Sequence, residues 1–113
     1  MSKIYKQKWN DSYDRYENHI FYPKETVVKF LNRFVRKKLA ENTFQNVIKL
    51  NEGEIVRALD YGCGIGRITM LLHEFNIEPY GVDISKSAIK KAKKLFPVLA
   101  NKFTEIDGEV IPF

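Results

Sequence analysis

Cysteine is almost absent here. Cys63 is the only one in 113 residues, which excludes an internal disulfide framework and a zinc site built on cysteines. No other residues fall at metal-ligand spacings, so no metal is expected. No apolar run approaches the ~20 residues that span a bilayer. Met1 to Asn10 is polar and lacks the apolar core of a signal peptide. A cytoplasmic protein with no membrane association is therefore expected. Internal repeats, low-complexity tracts and interdomain linkers are missing too. What remains is an ordinary composition, 44% hydrophobic and 29% charged, in a length that suits one domain with a modest core. The formal net charge of +5 is compatible with nucleic acid but gives only weak support for it. The lysines around Lys86, Lys90, Lys91, Lys93 and Lys94 alternate with apolar residues, as on a solvated helix face.

Glycine is also scarce, with six in the chain, yet three fall at alternate positions: Gly62, Gly64 and Gly66. Glycine tolerates positive φ and lets a ligand approach the backbone closely. Ahead of this triplet, Ile55 to Leu59 is short and mostly apolar, and it follows the turn signal Asn51-Glu52-Gly53-Glu54. That pattern predicts a parallel strand covered on both faces. A helix from about Ile65 to Phe75 follows, with Ile68, Leu71, Leu72 and Phe75 as its apolar stripe and Asn76 as its stop. Its free N–H groups would point into the glycine turn. His73 on this helix reads as structural.

Upstream, Trp9, Tyr13 and Tyr16 share one face of an expected helix. The residues Val27, Val28, Phe30, Leu31, Phe34, Val35 and Leu39 follow a 3.6 period, predicting an amphipathic helix over Lys24 to Leu39 behind Pro23. Phe44 to Leu50 reads either as further helical turns or as an apolar connection. Downstream, Pro79 to Asp83 reads as a second strand. Ser85 can cap the next helix, whose expected apolar face is Ile89, Ala92, Leu95 and Phe96, with Pro97 at its end. Lys102 to Ile106 is a third strand. The order is helix, helix, then β-α-β-α-β, which implies a parallel sheet with right-handed crossovers.

At Asp60-Tyr61-Gly62-Cys63-Gly64-Ile65-Gly66 the chain resembles the class I S-adenosylmethionine-dependent methyltransferases, whose first motif is an apolar strand ending in an acid and then Gly-x-Gly-x-Gly. The dinucleotide fingerprint G-x-G-x-x-G needs glycine where Arg67 stands. Asp60 would also repel a pyrophosphate, whereas it suits the ammonium of a methionine moiety. An oxidoreductase is disfavoured on both counts. The resemblance implies a Rossmann-like α/β fold and S-adenosyl-L-methionine as cofactor. Gly62, Cys63, Gly64 and Gly66 would form the glycine loop, with Cys63 simply small between glycines. Asp83 lies about 20 residues beyond that loop, at the end of the second strand, where an acid reaches ribose hydroxyls. Gly81-Val82-Asp83-Ile84-Ser85 looks like the family's second motif, with Ile84 flanking the adenine. Asp107 is similar to the family's adenine-amino contact, with Ile106 beside it. The N-terminal face of Trp9, Tyr13 and Tyr16 either packs on the body or, as in related proteins, covers the cofactor; both can hold. No catalytic residue is assignable, because methyl transfer from a sulfonium rests largely on positioning.

The resemblance covers about Val56 to Phe113 well and then the chain stops. The expectation is residues 1–50 as an N-terminal helical segment and residues 51–113 as a half-domain with strand order 3-2-1, a single truncated domain overall. The acceptor, most simply a small molecule, is not identified. The exposed edge of the first strand invites self-association. An alternative is a cofactor- or partner-binding module of this fold without catalysis.

Overall fold

The computed structural model describes residues 3–14 and 22–108. The elements run α1 (Lys3–Asp14), α2 (Glu25–Phe30) continued by a π turn at Leu31–Val35, β1 (Arg36–Ala40), β2 (Thr43–Asn46), β3 (Arg57–Tyr61), α3 (Arg67–Glu74), β4 (Glu78–Asp83), α4 (Lys86–Leu95), a 3₁₀ turn at Pro97–Lys102 and β5 (Phe103–Glu105). Strands β3, β4 and β5 form one parallel sheet with β4 in the middle. The arrangement is α/β and compatible with part of a Rossmann-like fold. Tyr16 and the closing segment from Glu109 to Phe113, both used in reading the sequence, lie outside the described residues.

Local chemistry accounts for the helix ends. Asn76 takes φ +56, and its N–H donates to the His73 carbonyl while the Ile77 N–H donates to the Leu72 carbonyl. These two bonds and the left-handed residue terminate α3 in a Schellman motif. Leu72 and Ile77 are buried together with Leu31, Leu71 and Phe75, completing its hydrophobic contact. At α4, Ser85 caps as expected, its hydroxyl accepting from the Ala88 N–H at 3.1 Å. Pro97 opens the 3₁₀ turn just beyond.

Right-handed crossovers that advance in one direction place both connecting helices on one face of the sheet. Met70 of α3 packs on the cluster of Ile89 and Ala92 from α4, in keeping with that. In β3, Ala58 joins the α2–α3 core and Asp60 reaches Thr69 on α3. Arg57, Leu59 and Tyr61 alternate to the other face, where Leu59 is 38% and Tyr61 55% exposed. The expectation of a first strand covered on both faces is therefore corrected: among the described residues it is covered on one. The same kind of correction applies to Leu95, which is 45% exposed. Ala88 takes its place on the buried side of α4, with Ile89 and Ala92.

The largest departure lies at residues 36–46. The helix expected to run to Leu39 stops after the π turn, and β1 and β2 form an antiparallel hairpin around Glu41-Asn42. Tertiary contacts override the helical period here. Arg36 is buried; its Nε donates to Asn46 Oδ1 at 2.9 Å and its Nη1 to the Asn76 carbonyl. Asn32 Oδ1 accepts the Lys38 N–H at 2.9 Å, a bond that replaces a helical one. The Phe44 ring meets Phe75 at 6.5 Å between centroids. A consequence is that Arg36→Ala should free the hairpin from the body. The loss is about 2 kcal/mol, as for hydrogen bonds to a charged group. Urea unfolding and faster amide exchange over residues 36–46 would register it, and unchanged exchange would mean the hairpin is held by other contacts.

Candidate functional site

The glycine turn begins where β3 ends. Gly62 and Cys63 both donate N–H groups to the Val82 carbonyl, at 2.8 and 2.9 Å, which draws the loop over the end of β4. Gly62, Gly64 and Gly66 all adopt positive φ, which explains the triplet better than open space does. Gly64 has φ +56, and a Cβ there would sit 2.5 Å from the Tyr13 hydroxyl. Gly66 has φ +88, and its Cβ would meet the buried Phe103 ring at 2.5 Å. Packing between α3, α4 and β5 therefore requires glycine at position 66. The helix itself starts at Arg67, two residues later than expected, because left-handed backbone at Gly64 and Gly66 cannot belong to it.

Asp83, at the carboxyl end of β4, faces this loop and is 7% exposed. Its Oδ2 accepts the Gly64 N–H at 2.9 Å and its Oδ1 accepts the Ser85 N–H at 2.9 Å. The carboxylate thus ties the glycine loop to the start of α4. Each oxygen keeps acceptor capacity for a further donor. Asp60, on the adjacent strand, accepts from the Thr69 hydroxyl at 2.9 Å. Burial pushes its carboxyl above the usual range, with a smaller contribution from the Asp83 charge and an opposing one from the Thr69 bond. Thr69 is fully buried and was not singled out from sequence; its only signal was a hydroxyl on the α3 face toward β3.

Two cavities open on either side of Tyr13. The first, of about 200 Å³, is lined by Trp9, Tyr13, Tyr61, Gly62, Asp83, Ile84 and Ile106. The second, of about 330 Å³, has Asp60, Gly62, Cys63 and Gly64 on its wall together with Lys24 and Arg67. Tyr13 and Gly62 border both. Among the residues expected to form a site, Gly62 and Asp83 come together with Ile84 and Ile106 in the first cavity. Asp60, Cys63 and Gly64 gather in the second. Gly66 and Asp107 line neither; Asp107 is exposed beside Ile106. Sequence reasoning missed Tyr61, Lys24 and Thr69. The expected face of Trp9 and Tyr13 lies along the first cavity.

Burial, followed by the charges of Asp83, Cys63 and Asp60, pushes the Tyr13 phenol up to about 12, so it is neutral at physiological pH. Burial also pushes the Cys63 thiol up, with Asp60 and Asp83 adding to the effect. A thiol held protonated in this way is no nucleophile. Among the described residues no cluster of His, Cys, Asp or Glu can hold a metal ion, and no helix is long and apolar enough to cross a membrane.

Residues 52–106, which include β3, the glycine loop, α3, β4, α4 and β5, match a family model described as a methyltransferase domain. No curated protein matches the chain. The matched span contains the strand, the glycine turn and both acids just described, and over it the chain is similar to a methyltransferase domain.

Proposed function

We propose that this chain carries the S-adenosylmethionine-binding half of a methyltransferase that passes the methyl group to an acceptor yet to be identified. One observation carries the reading: two cavities that meet at Tyr13 and Gly62 differ in chemistry as the two ends of that cofactor do. The first offers Asp83 among Trp9, Tyr61, Ile84 and Ile106, which suits a ribose beside an apolar, stackable base. The Asp83 oxygens retain acceptor sites after binding Gly64 and Ser85, enough for two vicinal hydroxyls. Asp107, next to Ile106, is the contact proposed for the adenine amino group. The second cavity places an acid, Asp60, and two cations, Lys24 and Arg67, on one wall set. That combination matches a zwitterionic amino-acid end, ammonium to Asp60 and carboxylate to the cations. A pyrophosphate would meet Asp60 unfavourably.

The cofactor, when bound, supplies an activated methyl on a sulfonium. The chain's part is to bind, orient and shield. Asp83 fixes the sugar, the glycine loop lets the ligand come close to the backbone, and Tyr13 and Trp9 exclude water from above. Positioning of this kind supplies much of the rate in a transfer that needs no covalent intermediate. The free edge of β3, which has no strand partner among the described residues on its second side, is the place proposed for self-association.

Calorimetry on the full chain tests the reading. S-adenosylhomocysteine should bind and NAD should not; equal binding of NAD would sink the proposal. Asp60→Asn should weaken S-adenosylhomocysteine about tenfold, by removing the charge that attracts the ammonium. The same variant should be more stable than the parent at neutral pH. The sign follows from the raised carboxyl: the folded chain holds that proton more tightly than the unfolded chain, so stability is lost as pH rises through the interval above the ordinary carboxylate value. Asparagine keeps an acceptor for Thr69 and carries no charge. Urea midpoints between about pH 4 and about pH 7 should therefore slope less in the variant.

A further inference from the structure

Helix α1 roofs the first cavity, yet little apolar surface holds it down. Ile4 and Tyr5 are mostly exposed, and of its described side chains only Ser12 and Tyr13 are buried. Its ion pair between Lys6 and Glu105, at 3.9 Å, is partly exposed and weak. The specific anchor is Asn10. Its Oδ1 accepts from the Ser85 hydroxyl at 2.6 Å and from the Ser87 N–H at 3.2 Å. Ser85 and Ser87 belong to the start of α4, whose first N–H groups have no partner within the helix. Ser85 takes one of them, from Ala88, and Asn10 takes another from across the fold. The Lys91 ammonium adds a bond to the Tyr13 carbonyl.

Asn10 sits between Trp9 and Tyr13 on the same helix, and both rings line the cavity. An anchor at this point fixes the rotation of α1 and hence both rings, which lie 6.2 Å apart between centroids. The bonds also run on to the site: the Ser85 N–H donates to Asp83, and the Ser85 hydroxyl donates to Asn10. Resting on the cofactor-binding reading, we propose that Asn10 is a positioning residue, docking α1 on the N-terminus of α4 and so holding Trp9 and Tyr13 over the cavity that takes the adenosine end.

Trp9 is the only tryptophan in the chain, so its fluorescence reports on the roof directly. The test compares the full parent chain with Asn10→Ala and Asn10→Asp. Aspartate can accept the same two donors and suits the positive end of α4, so it should restore what alanine loses. Without ligand, acrylamide should quench Trp9 more readily in Asn10→Ala than in the parent, with Asn10→Asp like the parent. In titrations with S-adenosylhomocysteine followed by Trp9 emission, Asn10→Ala should bind about tenfold more weakly, and Asn10→Asp should recover. Equal quenching in all three chains overturns the docking role. Altered quenching with unchanged affinity overturns the role at the cavity. A parent chain that fails to bind S-adenosylhomocysteine would instead refute the cofactor reading, and the quenching comparison would still decide whether Asn10 holds α1.

Discussion

Asp83→Ala should lower the affinity for S-adenosylhomocysteine by at least about tenfold, because hydrogen bonds to a charged group contribute roughly 1.5–3 kcal/mol each. Two effects combine. The proposed ribose hydroxyls lose their acceptor, and the buried N–H groups of Gly64 and Ser85 lose theirs. Each abandoned amide costs about 1–3 kcal/mol, so the variant should also unfold at lower urea. The Tyr13 phenol offers an independent reading of the same carboxylate. Burial is the main reason it is pushed up to about 12, but the Asp83 charge is the next contribution, so spectroscopic titration should find it lower in the variant. Asp83→Asn is the informative control: it keeps one acceptor oxygen but turns an NH₂ toward one of the two amides. A correctly folded Asp83→Ala chain with an unchanged dissociation constant would remove the ribose role and leave Asp83 as a loop tie alone.

Gly66→Ala should be the most destabilising of the glycine substitutions, although Gly66 lines neither cavity. Its φ of +88 disfavours any side chain, which costs roughly 1–2 kcal/mol. The new methyl would also lie 2.5 and 2.6 Å from two atoms of the Phe103 ring. That ring is 2% exposed and packed with Ile89, Ala92 and Leu99, so it has little room to retreat. Overpacking of this kind adds about 1–3 kcal/mol, for a total of about 2–5 kcal/mol. By contrast, Gly62→Ala meets nothing within 4 Å, and only its φ of +77 opposes it. Urea unfolding of the two variants should separate them clearly. Equal losses would show that backbone strain, rather than the Phe103 contact, sets the requirement at Gly66.

The sequence by itself determined the features written in short-range chemistry. The glycine triplet, the acids closing β3 and β4, the Ser85 cap and the Asn76 stop are each specified within a few residues, because turn dihedrals and capping bonds involve only near neighbours. Those features sufficed for the α/β order. Tertiary structure decided the rest. Arg36 turned the end of an apparent amphipathic helix into a hairpin by finding Asn76, 40 residues away. The helical period of Val27 to Leu39 carries no trace of that partner. The packing requirement at Gly66 comes from the Phe103 ring of β5, which no spacing rule connects to it. Thr69 was brought under Asp60 by the crossover that lays α3 on β3. A contact across 75 residues, Asn10 to Ser85, ties the roof of the cavity to α4. An asparagine in a polar helix gives no local sign of such a role. Its meaning depends on which helix end it meets, and that is fixed only when the sheet has brought α4 beneath α1.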